Sequence, residues 1–117
     1  MKPRLNLWLE NGGEVVFSIW RMALLQAVAE TGSISGAAAV MDVHYRTAWQ
    51  KINEMETRLG EKLVETQVGG RRGGGAQLTP LAQELITAFT QFSQDIEQQM
   101  VERFTTVLAP LLENYPN

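Results

Sequence analysis

GSISGAAAVMDVHYRTAWQKINEMETRL, residues 32–59, decides the fold. Its alanine-rich first half and amphipathic second half are separated only by Met41-Asp42-Val43, which reads as two helices meeting at a tight turn. At about 100° per residue, Ala48, Ile52, Met55 and Leu59 share one stripe of the second helix, and Arg46, Gln50, Asn53 and Thr57 lie nearly opposite. A helix held by one face and offering Arg, Gln and Asn on the other has the chemistry to read base edges. A guanidinium donates a pair of hydrogen bonds to guanine, and a carboxamide both donates to and accepts from adenine. Most amphipathic helices do no more than put a polar face in water, so the surrounding chain has to decide between the two.

Working outward, Ser33 or Ser35 starts the short alanine-rich helix, with Ile34, Ala37, Ala38 and Met41 inward. Small residues there let two helices approach closely. Asp42 is expected to take the left-handed conformation usually left to glycine, and the third helix is expected over 44–58, stopping at Gly60. Upstream, Ser18 caps a helix starting near Ile19 whose buried side is Ile19, Met22, Ala23, Val28 and Ala29 with Leu24 or Leu25, ended by Thr31-Gly32. Before it, Leu5, Leu7 and Leu9 alternate with Asn6, Trp8 and Glu10, Asn11-Gly12-Gly13 makes a turn, and 14–17 returns: a β-hairpin, with Trp8 assigned to packing.

Downstream, 61–68 reads as a strand with Glu65 and Gln67 to solvent, and Ala76-Gln77-Leu78 as its partner across Gly69-Gly70-Arg71-Arg72-Gly73-Gly74-Gly75. The expected fold is mainly α with small β: a winged helix-turn-helix with an N-terminal β-hairpin over 1–78, and a long C-terminal dimerisation helix over 79–117. Thr79-Pro80 is a helix start. An apolar stripe follows through Leu81, Leu85, Ala88, Phe89, Phe92, Ile96 and Met100, then Phe104 and Leu111, with Pro110 an interruption. Such a helix either packs back over the domain or pairs with its twin. The coiled-coil-like spacing of 85, 89, 92 and 96 favours a homodimer, with Leu85, Phe89, Phe92, Ile96 and Met100 at the seam. A twofold dimer sets two reading helices about one DNA turn apart.

Composition sets limits. In 117 residues, hydrophobic content of 44% and charged content of 20% describe an ordinary globular domain. No cysteine and one histidine, His44, exclude disulfides and zinc clusters, so no metal and no cofactor are expected. No run reaches membrane-spanning length, which points to a cytoplasmic, nucleoid-associated protein with no membrane partner. A net charge of −3 sits awkwardly with DNA, yet it is unevenly spread. Residues 1–43 hold three Lys/Arg against four acids, 44–78 six against four, and 79–117 one against five. The positive charge gathers around the reading helix and the glycine segment, where the local field matters.

The glycine segment is no P-loop, since GxxxxGK[ST] is absent. Its amides can donate to phosphate at low steric cost, with Arg71 and Arg72 adding charge at the backbone or minor groove. Nothing offers an enzyme a nucleophile with its base, a metal cluster or paired carboxylates. Glu54 and Glu56, two apart on a helix, point in different directions.

GSISGAA, then YRTAWQKINEME, then LVETQVGGRRGGGAQLTPLAQELI, resembles the DNA-binding domain of the ModE-type molybdate-responsive transcriptional regulators and, more distantly, the winged helix of the LysR-type regulators. The resemblance covers roughly 19–90 and implies a bacterial or archaeal DNA-binding dimer serving molybdenum-related genes. Carried over by position, it implies Tyr45, Arg46, Thr47, Gln50 and Lys51 as helix contacts to double-stranded DNA, and Arg71 and Arg72 as wing contacts. Ser33 and Ser35 at the start of the second helix join the candidate contacts. Trp49 is either core, the first choice, or a wedge against sugar-phosphate. The family usually has serine where His44 stands; His44 is a poorer cap and a candidate phosphate contact. Nothing in these residues resembles the family's oxyanion-binding modules, so molybdate binding is not expected of them. The competing expectation is a winged-helix interaction module that docks or heterodimerises with another regulator without reading DNA.

Overall fold

The computed structural model describes residues 1–67 and 75–116. Helix starts fall at hydroxyl caps. The Ser18 hydroxyl accepts from the Arg21 amide at 3.0 Å, opening α1 (Ile19–Thr31), and Ser33 accepts from the Gly36 amide at 2.9 Å, opening α2 (Ile34–Met41). Thr79 accepts from the Ala82 amide at 3.2 Å and opens α4 (Pro80–Arg103), with proline in the first turn. Between them α3 (Tyr45–Leu59) begins one residue later than expected, because His44 is its cap and makes no side-chain capping bond. α1 and α3 end on left-handed Gly32 and Gly60, φ 74° and 75°, where a side chain is costly. Asp42 closes α2 at φ 55°, the one non-glycine residue with positive φ among those described, as its short polar side chain allows.

An antiparallel ribbon of β1 (Trp8–Asn11) and β2 (Glu14–Ser18) precedes α1. Its register pairs Leu9 with Phe17 and Glu10 with Val15, leaving Val16 as an extra residue. That bulge lets the consecutive Val16 and Phe17 both turn inward. β1 is shorter than the leucine alternation implies. Leu5 and Leu7 are half-buried but precede it, and Leu9 is exposed. Trp8 does not pack in the core as expected; it lies on the open edge, its indole N–H donating to Glu10 at 3.1 Å.

α1 runs through the middle of the core, where Leu24, Leu25 and Val28 are fully buried against Phe17, Ala37, Ala48, Met55 and Leu63. The inward stripe is turned from the expected one. Ala27 is buried and Ala29 exposed, and the position one turn before Leu24 and Leu25 is the buried Arg21. After α3 come β3 (Val64–Gln67) and β4 (Gly75–Leu78), paired antiparallel from Val64–Leu78 to Gln67–Gly75. Together with α1–α3 this is a winged helix. The expected wing contacts Arg71 and Arg72 lie outside the described residues.

The first turns of α4 pack on the same core: Ala82 and Phe89 are buried, Leu85 and Ile86 lie against it, and Phe89 meets Phe17 edge to face with centroids 4.9 Å apart. Phe89 is thus corrected from a dimer contact to a core residue of its own chain, and Leu85 is largely used there too. Among the described residues beyond Phe89 nothing is buried. Pro110 is preceded by a π-helical turn (Phe104–Leu108) in which the Ala109 amide reaches back five residues to the Phe104 carbonyl, and a short α5 (Ala109–Leu112) follows. The wider turn accommodates a proline that cannot donate.

Candidate nucleic-acid interface

α3 is held by Ala48, Ile52 and Met55, all buried, whereas Leu59 at the end of that stripe is partly open. The opposite face carries Arg46, Gln50, Asn53 and Thr57, all exposed. Tyr45 and Trp49 flank them, 54% and 48% exposed. Trp49 is therefore corrected from core to surface. The inward stripe is already filled, and a ring one residue beyond Ala48 is rotated out of it. Thr47 is half-buried, Ser35 and His44 are exposed, and Ser33 is spent on capping α2, with the Ser35 hydroxyl 3.4 Å from its own. Among the described residues Arg46 has no ion-pair partner.

A charge cluster fixes how α3 sits. Buried Arg21 donates through Nη1 to the Lys51 carbonyl at 3.2 Å and through Nη2 to Glu54 at 2.9 Å, joining α1 to α3. Glu54 also faces Lys51 Nζ at 3.7 Å and Arg58 Nη1 at 3.8 Å. Burial by itself raises the Glu54 pKa. That is the largest single effect, but the Arg21 hydrogen bond and the charges of Lys51, Arg21 and Arg58 together outweigh it and hold the carboxyl below its ordinary value. Arg58 further donates to the Val15 carbonyl at 2.6 Å and pairs with Glu14 at 3.0 Å, tying α3 to the hairpin. Lys51, expected among the helix contacts, thus turns its ammonium towards Glu54 on the flank of the strip.

The base of the wing is tied to α3 and to the end of α1. Glu56 accepts from the Leu63 and Val64 amides at 2.9 and 3.1 Å, and the Ala76 amide donates to the Gly32 carbonyl at 2.8 Å. Sequence reasoning missed Arg21, Glu54, Glu56 and Arg58 as positioning residues. For Arg21 a signal existed: residues 21, 24, 25 and 28 repeat at helical core spacing. For Glu54 the three- and four-residue spacing to Lys51 and Arg58 was a signal too, whereas its bond to Arg21, and those of Glu56 to the β3 region, join different elements that spacing alone does not bring together. No cluster of His, Cys, Asp or Glu able to hold a metal occurs among the described residues, and no described helix is long and apolar enough to cross a membrane.

Residues 19–83 match the family model of the bacterial regulatory helix-turn-helix proteins, lysR family. The chain is similar to the transcriptional regulator ModE of Yersinia pestis, 45% identical over 69 residues, covering 59% of this chain and 26% of that one. It is likewise similar to the DNA-binding transcriptional dual regulator ModE of Escherichia coli K12, 42% identical over 74 residues, covering 63% and 28%. The chain thus spans about a quarter of the length of these relatives. Among solved structures, the CbnR DNA-binding domain in its DNA complex superposes with a TM-score of 0.57 at 20% identity, over 74% of this chain and 93% of that one, a likeness of fold.

Proposed function

Because the chain belongs to the bacterial regulatory helix-turn-helix proteins of the lysR family, we propose that it is a sequence-specific DNA-binding transcriptional regulator. In this reading α3 enters the major groove, and Arg46 and Gln50 read base edges while Tyr45 and Thr47 stand beside them. Ser33, Ser35 and His44 lie towards the phosphates. The observation that carries it is the unpartnered polar face of a helix whose other faces are held by the core, Arg21 and Arg58. Such a face meets the need for base readout, which is side chains kept still at a fixed depth. On sequence grounds Arg71 and Arg72 add backbone contacts from the segment between β3 and β4.

Two finer points belong to the same proposal. The apolar row Phe92, Ile96 and Met100, beyond the part of α4 used by the core, pairs two copies into a twofold dimer. The relatives named ModE support target genes concerned with molybdenum; the region they share with this chain is the winged helix, and molybdate binding is not assigned to it. Selection of bound sequences from a random duplex pool tests the reading. The expected result is an enriched palindrome whose half-sites lie about one helical turn apart. Recovery of no enriched sequence, with binding that ignores salt, contradicts it and favours a protein-docking module.

A further inference from the structure

Tyr45 and Trp49 are the largest exposed side chains of α3. Being four residues apart, they lie on one side of the helix, and with Arg46 they line a shallow depression. Neither ring has a hydrogen-bond or stacking partner among the described residues. Single exposed apolar residues are ordinary, but two adjoining rings on the face that carries Arg46 and Asn53 make a patch with a direction.

The charges around that patch narrow its occupant. Both carboxylates of α3 are turned elsewhere, Glu54 to Arg21 and Glu56 to the amides of β3. What faces outward is one guanidinium, carboxamides and two aromatic rings, with no carboxylate of α3 on that strip to repel a phosphate backbone. In a B-form major groove each base pair shows donors and acceptors, and the one apolar group on offer is the 5-methyl of thymine.

We infer that Tyr45 and Trp49 form a second, apolar reading edge of α3 that recognises thymine through its 5-methyl group. Arg46 and Gln50 read neighbouring positions by hydrogen bonds. The inference rests on the proposed entry of α3 into the major groove. Contact between the rings and the methyl removes apolar surface from water on both sides, so a half-site recognised this way requires thymine where these side chains reach. Cytosine offers no methyl there, and its exocyclic amine gives the rings no apolar contact in its place.

The test uses the duplex recovered by selection, and the same duplex with deoxyuridine replacing thymine, which deletes only the methyl group. Anisotropy titrations of the full chain are expected to give binding about fourfold weaker for each contacted methyl lost. Trp49→Ala together with Tyr45→Ala is expected to bind the two duplexes equally, and Trp49→Ala alone to lose part of the difference. Trp49→Phe should restore part of the difference, and Arg46→Ala should keep the thymine-to-uracil ratio while binding both more weakly. Both rings are at the surface, so circular dichroism should show the alanine variants folded. Specific binding that is equal on thymine and uracil duplexes overturns this inference and leaves the proposed function standing. So does a ratio that survives Trp49→Ala together with Tyr45→Ala. Failure to bind any duplex specifically overturns both.

Discussion

In α3 the face turned from the core carries Arg46, Gln50 and Asn53 beside two aromatic rings. In α4 beyond Phe89 the open face carries Phe92, Val101 and the half-buried Ile96 and Met100. Both helices are amphipathic and both spend one side on the same core. What differs is the chemistry left over. Donors and acceptors at fixed depth suit a base edge, whereas a row of apolar side chains gains only by leaving water, for which a second copy of itself is the simplest cover. Periodicity tells which face is apolar; it does not tell which molecule covers it.

The comparison breaks most easily at Phe89, where one helix passes from its own core to its open part. Phe89→Ala is expected to cost about 3–5 kcal/mol in folding free energy, read by urea denaturation, because it empties the site against Phe17. If that variant kept its stability and lost only self-association, the division of α4 would be misplaced. Next in size, Arg21→Met removes the donor that joins α1 to α3 and leaves Glu54 only its longer pairs with Lys51 and Arg58, at a cost of about 1.5–3 kcal/mol. Specific DNA binding should fall with it, since the reading face is set by that contact. Phe92→Ala should leave the urea midpoint nearly unchanged at low protein concentration and weaken dimerisation roughly tenfold in sedimentation equilibrium. No change in assembly would mean that the open row pairs with nothing.

The smallest effect concerns pH. Glu54 has a pKa lowered in the folded state, so its contribution to stability is present above the carboxylate's unfolded pKa and is lost as pH falls through the folded value. Stability from this group is therefore level from neutrality down to the ordinary carboxylate range and declines below it. Glu54→Gln should remove that part of the acid limb in denaturation curves taken between pH 7 and 3.

Local signals were legible because they act within a turn of the chain. Ser18, Ser33 and Thr79 cap, Gly32 and Gly60 stop, and Asp42 takes its left-handed turn, each for reasons contained in three or four residues. The exposed strip Arg46, Gln50, Asn53 and Thr57 was legible for the same reason, being pure helical spacing. What depends on distant partners was not. Arg21 is buried because Glu54 and the Lys51 carbonyl, at the far side of a turn and another helix, satisfy it. Phe89 belongs to the core because β2 bulges at Val16 and turns Phe17 towards it. Trp49 shows the opposite error: core was the first choice for it, while the angle from Ala48 and the filled inner stripe place it outside.

The central claim is that one rigid strip of α3 reads bases, and Arg46 tests it most directly. Binding of wild type and Arg46→Ala is to be measured by anisotropy on the selected duplex and on a scrambled one at the same salt. The account predicts a loss of roughly 1–3 kcal/mol on the selected duplex and little change on the scrambled one. An equal loss on both would make Arg46 a phosphate contact, and the strip would not be a reader of sequence.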